Sequence, residues 1–161
     1  MIGVLIFPDF QLLDAAGPIS VFEIAARMSN AAPAIRTLAV TPGPVRSTSG
    51  VEMLARGLKP SSAITTLVVA GGEGVRTAAT CPKTLAFVRA LAKRGARVAS
   101  VCSGAFVLAE AGLLEGHAAT LHWEAIAIFR ETYPGIDVRE QLFVHDSRRI
   151  TRATTSVSSS R

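Results

Sequence analysis

Arg97-Val98-Ala99-Ser100-Val101-Cys102-Ser103-Gly104-Ala105-Phe106-Val107-Leu108-Ala109 is the stretch that decides the fold. Val98, Ala99 and Val101 favour a strand, and a helical pattern begins after a run of small residues. The stretch therefore reads as strand, sharp turn and helix, with Cys102 at the corner. A nucleophile held on so tight a corner leaves no room for bulk beside it. Ser100, Ser103, Gly104 and Ala105 are all small. At the first turn of a helix Cys102 faces unpaired backbone N–H groups and the positive end of the macrodipole, and both favour thiolate over thiol. Cys102 is a candidate reactive thiol; the alternative is a buried small side chain, because free cysteine is often buried.

Upstream, residues 2–7 form a continuous apolar run ending at Pro8, as expected of a strand buried on both faces of a parallel sheet. Pro18 suits a first helical position, with Ile19, Phe22 and Ala26 at helical spacing, which places Asp14 just before that helix as a cap or turn residue. Residues 35–40 predict a second strand, and the segments around Val45 and 51–54 flank Ser47-Thr48-Ser49-Gly50 as a hairpin. Residues 66–70 predict a buried strand running into Gly71-Gly72-Glu73-Gly74. That loop lacks the dinucleotide and P-loop spacings, which argues against nucleotide binding. Its glycines either bring backbone N–H groups close to a substrate oxygen or make a plain tight turn.

Pro82 opens a helix with Leu85, Val88 and Leu91 on its inner face, and Gly95 ends it. After the elbow helix come a short strand at 118–120, a helix opened by His122 and Trp123, and a strand pair at 141–144 and 149–151. Strands alternating with helices predict an α/β fold, a parallel sheet sandwiched by helices, with ligands at the C-terminal ends of the strands. Asp14, Gly71, Gly72 and Cys102 all fall at such ends. His122 either makes a polar contact near the site or caps the following helix, and its position alone favours the cap. Trp123 is expected in the core. His117 and His145 sit in turn contexts and carry no signal.

Composition narrows the class. Of 161 residues, 49% are apolar and 18% charged, which fits one globular domain with a real core. No apolar run reaches the ~18 residues of a membrane span, and the first strand lacks the basic flank of a signal peptide, so a cytoplasmic protein is expected. The net charge of +5 is uneven: Arg148, Arg149, Arg152 and Arg161 lie in the last fourteen residues, leaving +1 for the rest. Without a helix-turn-helix pattern, that tail is weak evidence for nucleic-acid binding. Cys81 and Cys102 have no zinc spacing, so no metal is expected, and Cys81, before Pro82, reads as structural or incidental.

Three blocks carry a resemblance: VLIFPDFQLLDAAGPISVFE near the start, VVAGG in the middle, and VCSGAFVLAEAGLLEGHAATLHW after the elbow. Over residues 2–151 the chain resembles the ThiJ/PfpI superfamily, whose members have a class I glutamine amidotransferase-like, flavodoxin-like fold. Within it the chain looks most like the N-terminal domain of AraC-type transcriptional regulators, and isocyanide hydratases share nearly the same blocks. The resemblance implies Cys102 as the elbow thiol, Asp14 as the carboxylate that meets it, and Ser103 as the small hydroxyl beside it. It also implies ligand contacts at Gly71, Gly72, Gly104 and His122, and no cofactor. Superfamily members with protease or deglycase activity place a histidine directly after the cysteine; Ser103 stands there and argues against peptidase work. Two negative charges ~4 Å apart would repel by about 4 kcal/mol at an effective dielectric of 20, so an Asp14 touching Cys102 is expected to be protonated and to donate to the thiolate.

Two functions are implied. One is a small-molecule-sensing domain of an AraC-type regulator, homodimeric and without its DNA-binding half; the other is an isocyanide hydratase-like enzyme with Cys102 as nucleophile. Such domains continue after the last strand with a helix that packs on the sheet, whereas residues 152–161 are a Ser/Arg-rich tail with no apolar helical face. The expectation is a truncated or frame-shifted product with an exposed apolar strip, prone to dimerise.

Overall fold

The computed structural model describes residues 1–29 and 34–153. The expected tail therefore lies, from residue 154 on, outside the described residues. β1 (Ile2–Leu5) is buried along its whole length and pairs in parallel with β2 (Ile35–Ala39) on one side and β5 (Thr66–Val69) on the other. β6 (Arg97–Val101) pairs in parallel with β5 and with β10 (Arg149–Arg152). Beyond β2 comes β4 (Glu52–Gly57), also parallel. The edges are antiparallel: β3 (Gly43–Arg46) on β4, as the hairpin pattern predicts, and β9 (Phe143–Asp146) on β10. The order β3-β4-β2-β1-β5-β6-β10-β9 is thus a parallel sheet with one antiparallel strand at each edge.

The crossovers set the layers. α1 (Leu12–Ser29) carries the chain from β1 to β2, towards one edge. α2 (Val75–Thr80) and α3 (Pro82–Lys93) carry it from β5 to β6, towards the other edge. Right-handed crossovers in opposite directions put α1 on one face and α2 and α3 on the other. α4 (Ala105–Glu110) packs against α2 and α3. The strand order reverses between β1 and β5, and that switch point is where open α/β sheets bind ligands. Phe87, Val88 and Leu91 anchor α3, with Val88 and Leu91 fully buried, each such burial stabilising by about 1.5–3 kcal/mol. Arg89, on the outer side, turns its guanidinium onto the last carbonyls of α4, Nε to Ala111 and Nη2 to Glu110.

Three local expectations are corrected. Pro18 is not at the start of α1 but inside it, and Asp14 is in its first turn rather than ahead of it. The Asp14 N–H already donates to the Gln11 carbonyl at 3.0 Å, so the helix has begun before the proline. Gly17, with no Cβ to meet the proline ring, lets the helical path continue. Trp123 is not core: it is 51% exposed, while Leu121 and Phe129, both fully buried, occupy the interior beside it. A 3-10 turn, Trp123–Ala125, swings the indole outward before α5 (Ile126–Thr132). Finally, α2 is absent from the sequence reading, as is β8 (Asp137–Val138), the parallel partner of the expected short strand β7 (Ala118–Ala119).

Candidate functional site

Cys102 leaves β6 with φ at +55°, in the left-handed region that non-glycine residues rarely adopt. A cost of roughly 1–2 kcal/mol attaches to that conformation. The chain then makes a single 3-10 turn, Cys102–Gly104, before α4. What makes so sharp a turn possible is Gly104, packed against the end of β5: a Cβ there would lie 2.4 Å from the Val69 carbonyl oxygen and 2.8 Å from that of Ala70.

The segment after β5 and the start of α1 close on the elbow from the other side. The Gly71 N–H donates to Asp14 Oδ2 at 3.2 Å, and the Gly72 N–H donates to Ser103 Oγ at 3.0 Å. Gly71 is sterically required, since a Cβ on it would sit 2.7 Å from Asp14 Oδ2 and 2.8 Å from the Ser103 backbone nitrogen. Asp14 is 1% exposed. A buried carboxyl joining the first turn of α1 to the segment after β5 is worth its desolvation only when it is hydrogen-bonded, as here.

A cavity of about 530 Å³ opens over these groups, lined by Gln11, Asp14, Gly72, Cys102, Ser103 and His122, with Thr48, Glu73, Glu124 and Ala125 at its sides. The sequence-expected Asp14, Cys102, Ser103, Gly72 and His122 are therefore brought together. Gly71 and Gly104 are not in the lining; they allow the close packing behind it. His122 carries no side-chain cap bond and faces the cavity, its Nδ1 3.8 Å from Glu124 Oε2. Sequence reasoning passed over Gln11 and Thr48. The Thr48 hydroxyl donates to Gln11 Oε1 at 3.1 Å, which leaves the Gln11 amide NH2 as its remaining donor. Thr48 belongs to the hairpin turn, and its N–H bonds to the Phe10 carbonyl, so a signal existed only in the contact between two loops.

The loop bearing His122 is tethered by a pair that the sequence reading left without a role. Asp146 Oδ2 accepts the Ala118 N–H at 3.0 Å and lies 3.1 Å from His117 Nδ1. The Ala118 N–H first, and His117 next, hold the Asp146 carboxyl below its ordinary value of 3.8. A carboxyl depressed by folding adds stability above that ordinary value and loses it as pH falls through the depressed one. The Ala118 amide resonance is expected to shift and lose exchange protection as the solution is acidified below 3.8. An Ala118 amide resonance and exchange rate unchanged by Asp146→Ala would contradict the tether.

A sequence-family model of the DJ-1/PfpI family matches residues 1–158. The chain belongs to the DJ-1/PfpI family. Its DJ-1/PfpI sequence is 36% identical over 151 residues to the HTH-type transcriptional regulator CdhR of Pseudomonas aeruginosa, covering 92% of this chain and 44% of the regulator. The chain thus spans less than half the length of that relative. It is also 35% identical over 130 residues to the isonitrile hydratase of Pseudomonas putida, covering 76% of this chain and 52% of the enzyme. Among solved structures, a ThiJ/PfpI family protein from Pseudomonas syringae superposes with a TM-score of 0.82 at 31% identity, over 95% of this chain and 62% of the other. The mostly parallel sheet flanked by helices, with Cys102 at the strand-to-helix turn, is the flavodoxin-like arrangement of the DJ-1/PfpI family. No helix of the described residues is long and apolar enough to cross a membrane.

Proposed function

We propose that the chain is a small-molecule-sensing DJ-1/PfpI domain of an AraC-type transcriptional regulator, cytoplasmic and homodimeric, with its ligand in the cavity over Cys102. The similarity to CdhR, confined to part of that regulator, supports the assignment. The observation that carries it is the state of the two glycine amides. The Gly71 and Gly72 N–H groups, the donors that the sequence offers for an oxyanion, are accepted inside the protein by Asp14 and Ser103. The cavity is therefore arranged to hold a ligand rather than to develop charge on an oxygen at those amides. The unpartnered face of α1, where Leu13, Val21, Ile24 and Met28 are exposed, supports the dimer. DNA contact belongs to the DNA-binding half of such regulators, not to this domain.

A second reading is favoured by the left-handed Cys102 in one cavity with Asp14. In an isocyanide hydratase-like reaction the thiolate forms a C–S bond to the isocyanide carbon while that carbon takes a proton from Asp14. Water then adds to the resulting thioimidate, one of its protons passing to the nitrogen and the other back to the Asp14 carboxylate as the thiolate leaves, giving the N-substituted formamide. Incubation with cyclohexyl isocyanide and mass-spectrometric detection of N-cyclohexylformamide separates the readings. The sensor is expected to form none, with Cys102→Ala retaining the folded circular-dichroism spectrum. Formamide production that Cys102→Ala abolishes would replace the sensor by the enzyme.

A further inference from the structure

A second cavity, of about 470 Å³, lies behind the loops that wall the Cys102 site. Its origin is topological. α1 crosses from β1 to β2 on one face of the sheet, and α3 crosses away from β2 on the other, so the α3 face of β2 has no crossover helix of its own. The β3–β4 hairpin and the α2–α3 junction meet over the ends of β1 and β2 instead, and the space between them stays open. Phe7, Val40, Val45 and Ala78 give it apolar walls, with Cys81 and Thr84 as polar groups at the α3 end. The charged residues that touch it, Asp9 and Arg46, are exposed and of opposite sign. Size and lining match small-molecule sites, which run to about 300–1,000 Å³ and combine apolar walls with a few convergent polar groups.

The partition between the two cavities is tight. Pro8, Asp9 and Gly74 face this one, while Gln11, Gly72 and Glu73 face the other. The Gly74 N–H donates to the Asp9 carbonyl at 3.2 Å, and a Cβ on Gly74 would fall 1.9 Å from the Pro8 carbonyl oxygen. These are two sites, not one.

We propose that this second cavity is a binding site for an uncharged, largely apolar small molecule, seated between the β3–β4 hairpin and the α2–α3 junction with its one polar group towards Cys81 and Thr84. The walls reward apolar area, and the opposed charges at the rim give no net attraction to an ion of either sign. The site holds whether the Cys102 cavity senses or catalyses, since the two share a wall but no lining residue.

Cys81 reports on it. The Thr84 amide, against the opposing effect of desolvation, lowers the Cys81 thiol below its usual 9.0, so it alkylates readily when the cavity is open. With Cys102→Ala, Cys81 is the one remaining thiol of the two in the chain. The probe is N-phenyl-1-naphthylamine, uncharged and fluorescent in apolar surroundings. Saturable binding is expected, with Cys81 alkylation by iodoacetamide slowed at least about fivefold at saturation. Prior alkylation of Cys81 with N-ethylmaleimide is expected to weaken probe binding by about tenfold or more. Ala78→Leu, which fills the cavity and leaves the Cys81 thiol itself unaltered, is expected to act likewise, and the alkylation arm decides alone if that variant does not fold. Probe binding that leaves Cys81 alkylation unchanged, as attachment to the apolar face of α1 would, overturns the proposal. So does the absence of saturable binding, or unaltered binding by the alkylated protein with its unfolding transition intact.

Discussion

Gly104→Ala is expected to lower folding stability by about 3 kcal/mol, measured by urea unfolding monitored by circular dichroism. Close contact with a flexible side chain could be relieved by a rotamer change. Here the added methyl would meet the carbonyl oxygens of Val69 and Ala70, backbone groups of a buried central strand, at 2.4 and 2.8 Å. Relief requires β5 or the elbow to move, and moving the elbow displaces Cys102 and Ser103 together. The comparison is Gly17→Ala, where the nearest atom to the new Cβ is Leu13 Cδ1 at an ordinary 3.9 Å. That variant, inside α1 and directly before Pro18, is expected to change stability by no more than about 1 kcal/mol, the strain of a Cβ against the proline ring being offset by helix propensity. A Gly104→Ala loss of under about 1 kcal/mol would show that the elbow does not depend on the close approach.

Asp14→Ala is the second large effect. It removes the acceptor of the buried Gly71 N–H, and an unsatisfied buried donor costs about 1–3 kcal/mol before the void left by the carboxyl is counted. The Gly72–Ser103 wall of the cavity, next in the chain to Gly71, loosens with it, so ligand binding or turnover at Cys102 is expected to fall by about a hundredfold, equivalent to roughly 2.7 kcal/mol. Asp14→Asn keeps an oxygen that accepts the same N–H and is expected to recover most of the stability. The Gly71 amide resonance distinguishes the cases: near its wild-type position in Asp14→Asn, displaced in Asp14→Ala. Equal stability of all three proteins would mean that the Asp14–Gly71 bond contributes nothing.

The strand-elbow-helix at Cys102 was legible because its signals are local. An apolar strand, a cluster of small residues and a helical repeat follow one another within thirteen residues. The convergence of Asp14, Gly72 and Cys102 was legible for a related reason: a parallel sheet puts the C-terminal ends of its strands on one edge whatever their order. Pro18 misled because its preference for the first helical turn is statistical, whereas the true start was decided by the Gln11 carbonyl and by a glycine ahead of the ring. Trp123 misled because size predicts burial only where the interior has room, and Leu121 and Phe129 already fill it.

By itself, then, the sequence determined the succession of elements apart from α2 and β8, the parallel α/β class, the family blocks and the corner on which Cys102 sits. Each of these depends on neighbours in the chain, whose geometry propensity and periodicity constrain. Tertiary structure alone decided that Asp14 meets Gly71 across 57 residues, that Thr48 orients Gln11 across 37, and that His122 faces the cavity. It alone left a second cavity beside β2. Those outcomes depend on how loops and crossovers pack over the sheet, where segments remote in sequence compete for the same space and no local pattern records which of them prevails.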